Sequence, residues 1–290
     1  MELRYLRYFI AVAQNKNFSR AAESLGISQP PLSQQIQRLE REVGTPLLYR
    51  LTRSVELTEA GKTFYEDACK IIVLSDAALE KAKGIARGVN GKLYLGVTSS
   101  NVFHPKIFST IYQFHKDYPN VALHQKEANM ATLMHELDEG SIDVAFVRLP
   151  CDSSKFFNLR MIAREQMLIG LHHSHPLADQ AELSLDELTG TPVIIFPQEV
   201  APGLYELIYQ ACQQAGINMD NKIQASQFSS SISMVAAGFG FALIPESMAC
   251  FQHPHITFHQ IKKSGLKTDV ALAWRKFERS PTVKHFIGNF

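Results

Sequence analysis

In SRAAESLGISQPPLSQQIQRLE, residues 19–40, two helical patterns meet at a short glycine-containing turn. Ser19 is a suitable N-cap for a short helix, Arg20 to Leu25, with Ala21, Ala22 and Leu25 inward. Gly26 ends that helix where a left-handed residue costs little. Ile27 plugs the turn, and Ser28 caps the next helix, whose first turn tolerates Pro30 and Pro31. There Leu32, Ile36, Leu39 and Val43 recur at steps of four, three and four, forming a buried face. The opposite face carries Ser33, Gln34, Gln37, Arg38 and Arg41, with Gln29 and Pro30 at its start. Upstream, Leu3, Leu6, Phe9 and Ala13 give the apolar stripe of a first helix. Two helices joined this way form a helix-turn-helix, whose second helix can enter a major groove. The exposed side chains suit that task, because Gln can pair with adenine through two atoms and Arg with guanine or phosphate. An ordinary solvated helix face would instead carry Glu–Lys pairs.

After Gly44-Thr45-Pro46, the segments Leu47–Arg50 and Val55–Thr58 read as two short strands of a wing, with Arg50 and Arg53 flanking its tip. Those arginines are placed to touch a sugar-phosphate backbone. The chain has 290 residues and a formal charge of only +1, so it carries no broad basic field. Residues 1–60 hold eight basic side chains, Lys16 and seven arginines, against six acidic ones. That excess is small but arginine-dominated, and arginine is the residue suited to phosphate and guanine edges.

The N-terminal segment resembles the LysR-type transcriptional regulators. The match is carried by Leu6-Arg7-Tyr8-Phe9, Phe18-Ser19-Arg20-Ala21-Ala22, Ser28-Gln29-Pro30-Pro31-Leu32-Ser33, Ile36, Leu39-Glu40, Pro46-Leu47-Leu48 and Leu57-Thr58-Glu59-Ala60-Gly61. Further on, Asp143-Val144-Ala145-Phe146, His175-Pro176-Leu177-Ala178 and the string from Met234 to Pro245 also match that family. The resemblance implies a bacterial regulator that binds promoter DNA as a dimer or tetramer, contacts RNA polymerase and responds to a small-molecule effector.

Three segments follow from the pattern, a winged helix-turn-helix at 1–58, a linker helix and hinge at 59–91, and an α/β domain at 92–290, which the resemblance implies is two-lobed. In the linker, Phe64, Ala68, Ile71, Ser75, Ala78, Ala82 and Ile85 alternate steps of four and three, a heptad seam suited to a helix pair. Gly84, Gly88, Asn90 and Gly91 mark the hinge. Beyond it strands and helices alternate: strand 92–98, helix 105–117, strand 121–127, helix 130–139 and strand 143–147 come first. Strands 192–196, 222–227 and 241–244, helices 205–215 and 230–237, strand 267–274 and helix 281–290 follow. Alternation of this kind predicts α/β layers with mainly parallel sheets. The resemblance implies an effector domain like periplasmic binding proteins, with lobe I at about 92–161 plus 267–290 and lobe II at about 162–266.

Open α/β sheets bind ligands at the carboxyl ends of strands, near helix N-termini. Ser99, Ser100 and Asn101 end the first strand of the domain, and Arg148 ends the strand after Asp143. Pro202 opens one lobe II helix, while Phe228 and Ser229 open another with an aromatic wall and a donor. These residues are the candidate effector set, and they favour a small organic anion. A redox trigger through Cys151 or Cys212 is the alternative.

The four cysteines, at 69, 151, 212 and 250, form no CxxC or metal-ligand spacing, so reduced thiols are expected. His172, His173 and His175 crowd one loop that offers no carboxylate or thiolate, and no metal is expected there. No cofactor is expected, and no GxSxG, P-loop, HExxH or GxGxxG after a strand suggests an enzyme. The start, MELRYLRYFIAVAQNKNF, has no long apolar run or cleavage-like site, so a signal peptide is not expected. A cytoplasmic location follows. A transport-type binding protein on the same α/β scaffold would need a signal peptide and no DNA-binding head.

Overall fold

Tyr5, Leu6, Phe9 and Val12 form the buried face of α1 (Leu3–Asn15). Leu3 stays 45% exposed and Ala13 only half-buried, so the buried stripe is rotated from the one expected. The computed structural model describes residues 1–51, 54–151, 157–250, 253–262 and 266–290. It divides into two units, Met1–Lys83 and Gly84–Phe290.

In the first unit α2 (Phe18–Ser24) is capped by Asn17, whose Oδ1 accepts the Ser19 and Arg20 N–H groups at 2.8 and 3.1 Å. The cap therefore lies two residues before Ser19. Starting the helix at Phe18 lets that ring pack on the head core. α3 (Gln29–Val43) buries Leu32, Ile36 and Leu39, and Gly44 ends it in the left-handed region at φ 82°. β1 (Leu48–Arg50) and β2 (Val55–Leu57) pair antiparallel as the wing. Thr58 caps α4 (Glu59–Ala86) by accepting the Gly61 N–H at 2.8 Å. A Cβ at Gly61 would lie 2.0 Å from the Leu47 carbonyl oxygen, so only glycine lets α4 pack this close to the wing.

The heptad seam is divided between two uses. The Phe64 ring meets Phe9 edge-on at 5.5 Å and Ala68 is fully buried, so these two positions close the head core. Seam residues further along α4 are open, with Ile71 37% and Ile85 49% exposed, and so are Leu74 and Leu79 beside them at 69% and 56%.

The second unit begins with β3 (Gly91–Val97), α5 (Pro105–Asp117), β4 (Val121–Glu127), α6 (Met130–Glu139) and β5 (Val144–Leu149). β6 (Phe157–His172), β7 (Glu182–Leu183), β8 (Ile194–Ile195), α7 (Pro202–Gln214), β9 (Ile223–Gln224) and α8 (Phe228–Ala236) follow. β10 (Ala242–Pro245), β11 (Ile256–Ile261), β12 (Lys267–Arg275) and α9 (Pro281–Gly288) complete it. The main sheet runs β4-β3-β5-β12-β6-β11-β7, with β10 also on β6. β3 is parallel to β4 and β5, as the alternation predicts, but β12 runs antiparallel to β5 and β6, and β10 and β11 run antiparallel to β6, so the sheet is mixed and not mainly parallel.

β6 was not anticipated and organises the domain. Its first part, to Gln166, pairs antiparallel with β12, and its last part pairs with β10 and β11. One continuous strand thus passes from the sheet carrying the Leu93–Phe286 core to the one carrying the core of Ile169, Phe196 and Phe241. The division expected between 161 and 162 falls inside it. Its pattern is hard to read because Met167-Leu168-Ile169-Gly170-Leu171 is covered on both faces and does not alternate. Among the described residues no helix is long and apolar enough to cross a membrane.

Candidate nucleic-acid interface and effector site

Because Leu32, Ile36 and Leu39 must face the head core, α3 turns Gln29, Pro30, Gln34, Gln37 and Arg38 to the exposed side. Gln34, Gln37 and Arg38 make no side-chain hydrogen bond among the described residues, so their donors and acceptors are available to a ligand. Ser33 and Arg50 are less free than the sequence suggested. Ser33 is half-buried and its Oγ accepts from Arg50 Nη1 at 3.3 Å. The Arg50 guanidinium also lies 5.0 Å over the Phe18 ring and 3.7 Å from Glu40. Arg50 therefore fastens the wing to the helices as well as facing outward. Arg53 lies outside the described residues. Glu40 was not singled out from sequence, yet its Oε1 accepts the Leu47 and Leu48 N–H groups at 2.9 and 3.1 Å. That contact sets where the wing stands relative to α3.

In the second unit Ser99, Ser100, Asn101 and Arg148 come together at the carboxyl ends of β3 and β5, all buried. Arg148 is not the free cation expected. Its Nε donates to Ser100 Oγ at 3.0 Å, a second nitrogen donates to the Ser100 carbonyl, and Nη1 lies 2.7 Å from Glu165 Oε1. That last contact is out of line for a hydrogen bond, which makes it chiefly a charge attraction. Burial pulls the Arg148 guanidinium below its ordinary value and the Glu165 charge opposes this. Glu165 Oε2 in turn accepts the Ser247 N–H at 2.8 Å, tying β6 to the segment after β10. A buried cation at a strand end needs such a partner, and a carboxylate on an unrecognised strand could not be foreseen.

Asn101 is committed as well, with Oδ1 accepting the Thr98 N–H at 3.0 Å and Nδ2 donating to the Phe146 carbonyl at 2.7 Å. It shapes the turn, with its oxygen and one amide hydrogen committed to the backbone. Ser99 differs. Its hydroxyl, its N–H and the Ser100 N–H have no protein partner among the described residues. His104 caps α5 by accepting the Lys106 N–H on Nδ1 at 3.2 Å.

The remaining candidates separate. Phe228 is 2% exposed and packs against Phe196 at 5.1 Å in the core, so it is no wall of an open cleft. An aromatic at the first turn of an amphipathic helix is drawn inward when that turn packs on a sheet. Ser229 beside it is exposed. Pro202 lines a mostly apolar cavity of about 570 Å³ with Met130, Met134, Cys151, Phe157 and Gln198. A Cβ at Gly203 would lie 2.0 Å from the Pro150 carbonyl oxygen, so glycine allows the start of α7 to close against the end of β5. Cys212 is fully buried, and desolvation pushes its thiol up to about 12.

Burial lowers the His104 pKa below 6.5, with Arg148 and Lys106 acting in the same direction and Glu165 against it. The folded unit therefore binds fewer protons than the unfolded chain once pH drops below the unfolded value. Stability is unaffected by this group above that value and declines as pH falls beneath it. His104→Asn keeps a capping oxygen and removes the titration. Its melting temperature should fall less than that of the wild type from about pH 7 to about pH 5. Parallel curves for the two proteins would show that His104 does not contribute.

A winged head followed by an α/β unit whose two cores are joined by the continuous strand β6, with a buried polar cluster at its strand ends, is the architecture of a ligand-responsive DNA-binding regulator. Family models agree: residues 3–62 match "Bacterial regulatory helix-turn-helix protein, lysR family" and residues 86–290 match "LysR substrate binding domain". The chain belongs to the LysR family of transcription regulators, which binds promoter DNA and a small-molecule effector. It is 65% identical over 290 residues to the HTH-type transcriptional regulator BudR of Raoultella terrigena, covering 100% of both chains. It is 32% identical to the HTH-type transcriptional regulator AlsR of Bacillus subtilis, covering 99% of this chain and 94% of that one. Among solved structures it resembles full-length CbnR complexed with its target DNA, at TM-score 0.85 and 27% identity, covering 100% of this chain and 98% of that one.

Proposed function

We propose that this regulator reads its promoter through Gln29, Gln34, Gln37 and Arg38 and is controlled by a small organic anion held at the Ser99–Ser100 turn. The observation that carries the effector reading is the set of three donors there without a partner among the described residues, the Ser99 hydroxyl and the Ser99 and Ser100 N–H groups. They stand at the carboxyl end of a strand and before α5, whose N-terminal dipole favours negative charge. Arg148 contributes by holding Ser100 in place, and the cavity lined by Met130, Met134 and Phe157 suits an apolar body. Pro202 belongs to that cavity wall.

Calorimetry against a panel of aliphatic and aromatic acids tests this, with Ser99→Ala as the variant because Arg148 has a structural partner. One acid should bind the wild type, and Ser99→Ala should weaken it about tenfold, as expected for one lost charge-assisted hydrogen bond. Binding confined to neutral or cationic compounds would defeat the reading. A thiol trigger at Cys212 is disfavoured, since a buried thiol with a raised pKa holds almost no thiolate.

For DNA, Gln34→Ala should cost about 1–3 kcal/mol at the base it pairs with and relax preference there. Fluorescence anisotropy on single-base promoter variants reads this, and an unchanged preference would remove Gln34 from the reading face. Two such heads joined through the apolar face of α4 would meet a pseudo-palindromic site. The same reading places the protein in the cytoplasm, where it would meet RNA polymerase.

A further inference from the structure

The loop after β6 holds more chemistry than its own residues show. Of the chain's eleven histidines, four converge on the edge where β6 ends and β11 begins: His172, His173, His253 and His255. Strand pairing makes the cluster. Ile256 lies opposite His172 in the ladder, and the His173 N–H donates to the His255 carbonyl at 2.9 Å. One ligand atom from each of His172, His173 and His255 lies within 4.8 Å of the other two. His175, the third histidine of the loop by sequence, is turned away: its Nε2 is 3.1 Å from Thr191 Oγ1 and its Nδ1 accepts the Leu177 N–H. The ligand missing from the loop is supplied eighty residues on, by His255.

We infer that His172, His173 and His255 form a surface site for a late first-row divalent metal ion, with zinc, nickel or copper as its occupant. Three neutral imidazoles, grouped with no carboxylate among the described residues, select these borderline ions over magnesium or calcium. Tetrahedral coordination at about 2.0–2.1 Å would bring the nitrogens to about 3.4 Å apart, and solvent-facing rings can close from 4.8 Å by side-chain rotation alone. His172 also has the outer partner that ligating histidines use. Ser174 Oγ lies 2.7 Å from its Nδ1 and can accept an Nδ1–H, leaving the Nε2 lone pair for the ion. The competing arrangement, Ser174 N–H donating to Nδ1, is longer at 3.3 Å. The ion would clamp the end of β6 to the start of β11, joining segments distant in sequence.

Zinc chloride and copper sulfate titrated into the dialysed full-length protein test the site by calorimetry and, for copper, by electron paramagnetic resonance. One ion per chain is expected, with nitrogen hyperfine structure for copper and a Kd in the micromolar range or tighter. His173→Ala combined with His255→Ala should weaken binding at least tenfold, while Cys250→Ser, at an exposed thiol, should leave it unchanged. Both histidines are solvent-facing, so the variant should keep the wild-type circular dichroism spectrum. Zinc binding weaker than about 0.1 mM would overturn the site, as would affinity that follows Cys250 or is indifferent to the two histidines.

Discussion

Glu165→Ala should destabilise the C-terminal unit by about 3–5 kcal/mol, the range for a buried ion pair that loses one partner. The side chains of Arg148 and Glu165 are only 2% and 7% exposed, so water cannot take over the solvation that the substitution removes. Two groups are orphaned together, the Arg148 guanidinium and the Ser247 N–H that Glu165 Oε2 accepts at 2.8 Å. Glu165→Gln keeps the shape and an acceptor for Ser247 but removes the charge, and its loss should be smaller. Urea unfolding followed by the single tryptophan, Trp274 on β12, reports on this unit directly. A midpoint for Glu165→Ala within error of the wild type would show that the pair contributes nothing to the fold. A large loss would also explain why Arg148 is a poor choice for testing effector contact, since removing it disturbs the strand ends themselves.

Leu74→Glu is expected to have its effect on assembly and not on folding. Leu74 is 69% exposed on α4, so a charge there costs an isolated chain little. In a paired helix the same charge would be buried without a partner and would separate the protomers. Two linked heads gain avidity of about 10²–10⁴ over one, so affinity for a two-half-site promoter should fall by roughly that factor. Affinity for a single half-site should be unchanged. Sedimentation velocity at micromolar concentration checks the first part and anisotropy the second. A variant that sediments like the wild type would remove this face from the interface. Phe64 and Ala68 are unsuitable for the same experiment, because both close the head's own core.

The parts of the molecule legible in the sequence are those where local rules and packing agree. α3 could be placed because Ser28, Pro30, Pro31 and Gly44 punctuate a clean apolar spacing. α5 and α6 could be placed because Pro105 opens the first and Gly140 ends the second. β6 escaped because its two halves obey different rules, part-exposed without regular two-residue alternation beside β12 and apolar throughout between β10 and β11. From that one omission several others follow. Glu165 lies on β6 and was not available to neutralise Arg148. His172 ends β6, and the pairing that brings His255 beside it could not be drawn. The assignment of Phe228 to a cleft failed for a different reason: a helix opening with an aromatic residue looks the same in sequence whether that residue faces a ligand or a core. Asn101 and Ser99 are equally alike as letters. Only the turn's hydrogen bonds separate the one that is spent from the one that is free.

Footprinting of the full-length protein on its promoter, with and without the acid identified by calorimetry, tests the central claim most directly. The account predicts protection of a pseudo-palindromic site by the free protein and a changed length or spacing of protection when the acid is added. It also predicts that Ser99→Ala keeps the first footprint and loses the change. Protection without sequence preference, or a footprint that the bound acid leaves unaltered, would contradict it.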